Sequence, residues 1–103
     1  MRIRRAAMAT LLAALATLAP AQAARAASLY DFGGQNVIIW SEPRAGSTRV
    51  GLGLPGQGFQ SDRSKEGEPY RCDCFDSTLW HHGRNTTTGA VGWVAACDLV
   101  DTD

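Results

Sequence analysis

The sequence lacks an excess of basic residues, and this absence excludes two common classes of partner. Lys and Arg number ten against ten Asp and Glu, and the balance becomes acidic if the N-terminal segment, which holds four arginines, is removed. A protein that binds nucleic acid or anionic lipid carries a basic patch that neutralises phosphate groups. We therefore expect no nucleic acid and no anionic membrane surface as a partner.

Helical periodicity is also absent. Beyond residue 26, no window repeats apolar residues at helical spacing for longer than two turns. Short β-branched and aromatic runs, separated by Gly, Pro and Ser, occupy that region instead, and they predict an all-β domain, a small barrel of five to seven short strands. The predicted strands are 36–40, 49–53, 70–75, 79–85, 90–96 and 98–101, with 79–85 and 90–96 forming a hairpin and 63–68 an exposed charged loop.

A long apolar segment occurs only at the N-terminus. Three arginines among the first five residues precede an apolar run, Ala6–Ala19, which ends at Pro20. This is the layout of a secretory signal peptide, and small residues permit cleavage after Ala23 or Ala26. The run is shorter than the roughly 20 residues that cross a bilayer, so we expect no stable membrane span after its removal. We predict a signal peptide over 1–26 and a secreted, extracellular bacterial product.

Cleavage would leave 80 or 77 residues, which is enough for one small domain. We predict a short linker over 27–36 and the domain over 37–101. A domain of this size buries a limited core, so a covalent crosslink would add to its stability. Disulfides form outside the cytosol and can provide that crosslink. The predicted core consists of Val37, Ile39, Val50, Leu52, Phe59, Val94 and Leu99.

The order of several short motifs points to a family. A first strand leads into Ser-x-Pro and a Ser-Thr pair, a strand and turn with glycines follow, and Gly-Trp-Val stands shortly before a final leucine. In this order the chain resembles the bacterial SH3-like (SH3b) domains, and it looks closest to small secreted actinobacterial proteins of that type. The matching positions, all between 37 and 100, are Ser41, Pro43, Ser47, Thr48, Val50, Gly51, Gly56, Gly92, Trp93, Val94 and Leu99.

The resemblance implies a short β-barrel that binds ligands without catalysing a reaction. SH3-like domains of bacteria dock cell-wall peptides or other proteins in a groove between the first long loop and the hairpin. We therefore expect a secreted binding module that recognises peptidoglycan peptide or an extracellular protein at the cell envelope, with no enzymatic activity and no cofactor. Aromatic side chains suit such binding, and the candidates are Trp40, Tyr70, Trp80 and Trp93.

The three cysteines are an odd number, so one of them has no intramolecular disulfide partner. Cys72 and Cys74 precede the hairpin and Cys97 follows Gly-Trp-Val, where the small secreted members often carry one cysteine each. Residues i and i+2 of a strand point to the same face, so both pairings with Cys97 stay open. We predict Cys72–Cys97, with Cys74–Cys97 as the alternative. The third thiol is then either buried in a monomer or links two chains into a dimer.

An alternative function uses the same three sulfur atoms together with His81 and His82. Cys and His side chains are the ligands that hold zinc and copper, so the chain could be a secreted metal-binding or redox-active protein. The Cys-x-Cys spacing lacks the two-residue spacer of ordinary zinc knuckles, and adjacent histidines of a strand point to opposite faces. We therefore assign no metal-binding residue.

Overall fold

The computed structural model of the protein describes residues 28–102, and the predicted signal peptide, 1–26, lies outside them. The described residues form seven strands and one 3-10 turn, Ala96–Asp98. The strands are β1 Ser28–Phe32, β2 Val37–Trp40, β3 Arg49–Gly53, β4 Phe59–Arg71, β5 Asp76–Asn85, β6 Val91–Ala95 and β7 Leu99–Asp101.

The strands form one antiparallel sheet that curls into a half-barrel, which confirms the all-β prediction. The strand order is β3-β2-β6-β5-β4-β1-β7, so β3 and β7 are the edges. β5 and β6 form the predicted hairpin, and its turn contains Gly89 at a φ of 85°, a conformation that favours glycine. With 13 and 10 residues, β4 and β5 are longer than the short strands that the sequence predicts.

The curled sheet has an apolar core built from alternate residues of its strands. The rings of Phe32 and Phe59 meet edge to face in this core, with their centroids 5.6 Å apart. Five of the seven predicted core residues are buried there. The core residues are Phe32, Val37, Ile39, Phe59, Val94 and Leu99.

The prediction that Val50 and Leu52 belong to the core is wrong, because 41 % and 48 % of their surfaces are exposed. Both lie in edge strand β3, where glycines take the positions that approach the rest of the barrel. A Cβ atom added at Gly53 would overlap the ring of Phe32, and one added at Gly51 would overlap Ala90. The apolar side chains of β3 are therefore left on its open side.

The segment predicted as a linker over 27–36 contains strand β1. This strand pairs with β4 on one side and with β7 on the other, with Tyr30 opposite Phe59 and Phe32 opposite Leu99. Pairing on both sides brings Phe32 into the core, where 1 % of its surface is exposed. The first strand of the domain therefore begins at Ser28.

The charged residues 63–68, predicted as a loop, belong to the long strand β4. Arg63 lies opposite His82 and Lys65 opposite Trp80 in the pairing with β5. Long basic side chains suit such a strand because their aliphatic stems cover apolar surface while their charges remain in water. The cysteines predicted in strand 70–75 lie beyond the end of β4, in a bend where the Cys72 N–H donates a hydrogen bond to the Phe75 carbonyl at 2.8 Å.

A buried asparagine joins two turns at one end of the sheet. Asn85 is fully buried, and its Nδ2 donates to the Leu52 carbonyl at 3.1 Å and to Gln57 Oε1 at 2.9 Å. Its Oδ1 accepts the N–H groups of Thr87 at 2.9 Å and Thr88 at 3.0 Å. The side chain thus ties the β5–β6 turn to the end of β3 and to the β3–β4 turn, with its hydrogen-bonding groups satisfied.

Candidate ligand-binding groove

The four aromatic residues proposed as ligand contacts lie together on the face of the sheet opposite the core. Neighbouring residues of a strand point to opposite faces, so Val94 of β6 enters the core while Trp93 and Ala95 face the other way. Trp80 joins them from β5, and Trp40 and Tyr70 pack against this second cluster. The structure therefore brings the predicted residues together.

Trp80 is the centre of this cluster and is covered by strand β4 and by the loop after β2. Only 2 % of its surface is exposed, and its Nε1–H donates to the Glu68 carbonyl at 2.9 Å. The Glu68 N–H in turn donates to the Pro43 carbonyl at 3.0 Å, which fixes the end of β4 against the loop after β2. A Cβ atom at Gly67 would come within 2.7 Å of both Pro43 and Trp80, so this close approach requires glycine.

The four aromatic residues differ in what a ligand could reach. Trp93 has 7 % of its surface exposed, because Arg63 and Lys65 lie over its ring. Trp40 and Tyr70 are half-buried. The Tyr70 hydroxyl donates to the Leu79 carbonyl at 2.6 Å, and its ring meets that of Trp80 edge to face at 5.3 Å. Trp40 and Tyr70 can therefore contact a ligand, whereas Trp80 and Trp93 mainly support them.

A groove of about 400 Å³ runs beside this cluster. Trp40, Tyr70 and Trp80 line it together with Ile38 and Ala95, and polar groups stand along the same walls. Although Asp98 as a whole is exposed, partial burial of its carboxyl raises the pKa of that group. The polar and charged residues of the groove are Gln35, Asn36, Arg71 and Asp98.

The disulfide lies at one end of the groove and confirms the predicted pairing. Cys72 is bonded to Cys97, with 6.4 Å between their Cα atoms, and Cys97 itself lines the groove. The bond connects the bend after β4 with the 3-10 turn after β6, next to the charged wall residues Arg71 and Asp98. Cys74 is a free, exposed cysteine, so the alternative in which the third thiol is buried is wrong.

The two histidines lie on opposite faces of β5 and in different surroundings. His81 Nδ1 is 3.3 Å from Ser61 Oγ, its ring is 5.0 Å from that of Tyr30, and burial lowers its pKa. His82 Nδ1 is 2.9 Å from Asp62 Oδ1. Between residues 28 and 102, no group of three or more Cys, His, Asp or Glu side chains is arranged to hold a metal ion.

The groove residues Gln35, Asn36, Arg71 and Asp98 carry no signal in the sequence that could have identified them. They come from the β1–β2 loop, from the end of β4 and from the 3-10 turn, and only the folded sheet places them on common walls. In the part of the chain that the structure describes, no helix has the length and hydropathy needed to cross a bilayer.

Comparisons of the chain with protein-family models, with curated proteins and with solved structures find no match.

Proposed function

We propose that this protein is a secreted, non-catalytic binding module that holds a short peptide in the groove beside Trp40 and Tyr70. The observation that carries the proposal is the position of three aromatic residues in one groove with a basic and an acidic side chain, Arg71 and Asp98. Binding sites combine apolar walls with a few polar groups that orient the ligand. The walls of this groove have both components.

The charges favour a peptide that carries both an amine and a carboxylate. The Arg71 guanidinium contacts Asp76 Oδ1 at 3.3 Å and has further N–H groups that can donate to a ligand carboxylate. The Asp98 carboxylate can accept hydrogen bonds from an ammonium group. The aromatic rings offer flat apolar surface to the peptide chain and lose little side-chain entropy on binding. Peptides of the bacterial cell wall contain free amines and free carboxylates, so we propose them as the ligand class.

The proposal includes an SH3-like barrel and export from the cell. Its support is the order of the Ser-x-Pro, Gly and Gly-Trp-Val motifs, the N-terminal signal-like segment, and the curled antiparallel sheet.

Retention of the protein on purified peptidoglycan tests the proposed function. Trp40→Ala is expected to weaken retention about tenfold or more, because truncation of an aromatic contact at the centre of a site has effects of this size.

Leu29→Ala is the matched control, since Leu29 is apolar, 52 % exposed and belongs to β1 rather than to the groove. A second arm compares soluble cell-wall peptide with glycan strands from which the peptide has been removed. The protein is expected to bind the peptide and to ignore the glycan. Equal retention of Trp40→Ala and Leu29→Ala, or no retention of the parent protein above an unrelated acidic protein, would contradict the proposal.

A further inference from the structure

Five side chains form a continuous row across five neighbouring strands, on the face that carries the aromatic cluster. The pairings are Arg49 with Trp40, Trp40 with Trp93, Trp93 with His82, and His82 with Arg63. Directly paired residues of antiparallel strands project from the same face of the sheet. Strand pairing therefore places a cation at each end of this cross-strand row and aromatic rings between the two cations.

The tryptophans hold the cations in place. The Arg49 guanidinium lies 5.9 Å from the centre of the Trp40 ring, and that of Arg63 lies 5.4 Å from the centre of the Trp93 ring. A third cation, Lys65, has its ammonium 5.8 Å from the same Trp93 ring. These distances are within the range of cation–π attraction, which restricts long side chains that would otherwise move freely.

The charge of the row is opposite to the net charge of the domain. Residues 28–102 contain nine acidic and six basic side chains, and three of the six basic ones belong to this row or flank it. Among the described residues, Arg63 is the one of these three cations that has a carboxylate within 4 Å, and that carboxylate, Asp62, also contacts His82. Arg49 and Lys65 thus keep their charges available on an otherwise acidic domain.

We propose that this cross-strand row binds an acidic polysaccharide. Four strand spacings of about 4.8 Å separate the backbone positions of Arg49 and Arg63, so the row extends over roughly 19 Å of the sheet. An extended chain of acidic sugars can place a carboxylate at each of these cations, and the half-buried ring of Trp40 lies between them to pack against a sugar. Nucleic acid carries a much denser charge, which three cations on an acidic domain neutralise poorly.

The site is separate from the peptide groove, and it meets that groove only at Trp40. Its existence does not depend on the proposed function, because Arg49, Arg63 and Lys65 do not line the groove. The test measures binding of polygalacturonate to the purified, oxidised protein at low ionic strength, followed by tryptophan fluorescence. Binding is expected to weaken as salt is added, since exposed charges are screened over about 10 Å at 0.1 M salt.

Two variants with one matched control decide the assignment. The double variant Arg63→Gln with Lys65→Gln is expected to bind about tenfold more weakly, given the contribution of two partly exposed ion pairs. Arg49→Gln tests the other end of the row without altering the side chains over Trp93, and it is expected to bind several-fold more weakly. Arg44→Gln removes the same charge from the loop after β2, outside the row, and should leave binding unchanged.

A second polymer separates charge recognition from general adhesion to sugar. Fully methyl-esterified polygalacturonate keeps the sugar rings and loses the carboxylates, so it is expected not to bind. The proposal is overturned if the ester binds equally well, if Arg44→Gln weakens binding as much as Arg49→Gln, or if polygalacturonate does not bind. The assignment to a polysaccharide is overturned if single-stranded DNA with the same total charge as the polygalacturonate binds as tightly as that polymer or more tightly.

Discussion

Replacement of Asn85, the last residue of β5, by Ala should strongly destabilise the domain. Asn85 is fully buried and makes four side-chain hydrogen bonds, to Leu52, Gln57, Thr87 and Thr88. Each such bond contributes about 1 kcal/mol net, and a partner left buried without one costs at least as much. We therefore expect a loss of about 3 to 4 kcal/mol in the free energy of unfolding.

A loss of that size is large for this domain. Domains of about 75 residues have total stabilities of roughly 4 to 11 kcal/mol. Each kcal/mol lowers the Tm of a domain of this length by about 4 to 8 °C, so Asn85→Ala should melt at least 12 °C below the parent protein. Thermal and urea unfolding of the oxidised protein, followed by circular dichroism, measure both quantities.

Gln60→Ala provides the matched control for this prediction. Gln60 is an exposed amide of the neighbouring strand β4, and exposed substitutions of this kind usually change stability by less than about 0.5 kcal/mol. Asn85→Asp gives a second measurement, because it keeps the acceptor and removes both donors from a buried site. A difference of less than about 1 kcal/mol between Asn85→Ala and Gln60→Ala would refute the role assigned to Asn85.

Three further predictions concern the disulfide, the β3–β4 turn and the inner face of β3. Cys97→Ser should lower the free energy of unfolding by about 3 kcal/mol, because the disulfide closes a loop of 25 residues. Cys74→Ser should leave the free energy of unfolding unchanged, and urea unfolding of the two variants measures the difference. The N–H of Gly56, with those of Phe32 and Gly58, lowers the pKa of the Asp31 carboxyl. The stabilisation that this carboxylate contributes is therefore complete above its unfolded pKa of about 3.9, and it is lost as the pH falls through the lower pKa of the folded state. Unfolding measured from pH 5 to pH 2 should therefore show a steeper loss of stability in the parent than in Asp31→Asn, and parallel curves would contradict it. Gly53→Ala should cost about 2 kcal/mol or more because its methyl group meets the Phe32 ring, while Gly34→Ala, which meets nothing within 4 Å, should fold with unchanged Tm.

The sequence predicted features that depend on short-range patterns. Alternation and Gly-rich turns predicted the all-β class and the β5–β6 hairpin. Strand parity left Cys72 and Cys74 both open as partners of Cys97, and the predicted pairing Cys72–Cys97 is the one observed. Prediction failed where the conformation of a segment depends on the strand with which it pairs. Residues 63–68 look like a loop by composition, yet residues 63–66 pair with β5, and the side chains of Arg63 and Lys65 cover the ring of Trp93.

The error at β3 has the same origin. Val50 and Leu52 are apolar residues of a strand, and the sequence gives no sign that this strand lies at the edge of the sheet with glycines toward the barrel. The aromatic candidates illustrate the other limit. Composition identified Trp40, Tyr70, Trp80 and Trp93. Their division into two supporting and two accessible side chains depends on β4, which covers both Trp80 and Trp93 in the folded sheet.

The adjacency of Trp93 and Val94 has a consequence for the groove. One strand, β6, supplies both the core and the aromatic cluster on the opposite face, so neither cluster can shift without moving the backbone of the other. Displacement of β6 in the aromatic cluster would therefore disturb the core as well. A ligand that enters the groove should therefore meet walls that are already in place, and little of its binding free energy would be spent on ordering the protein.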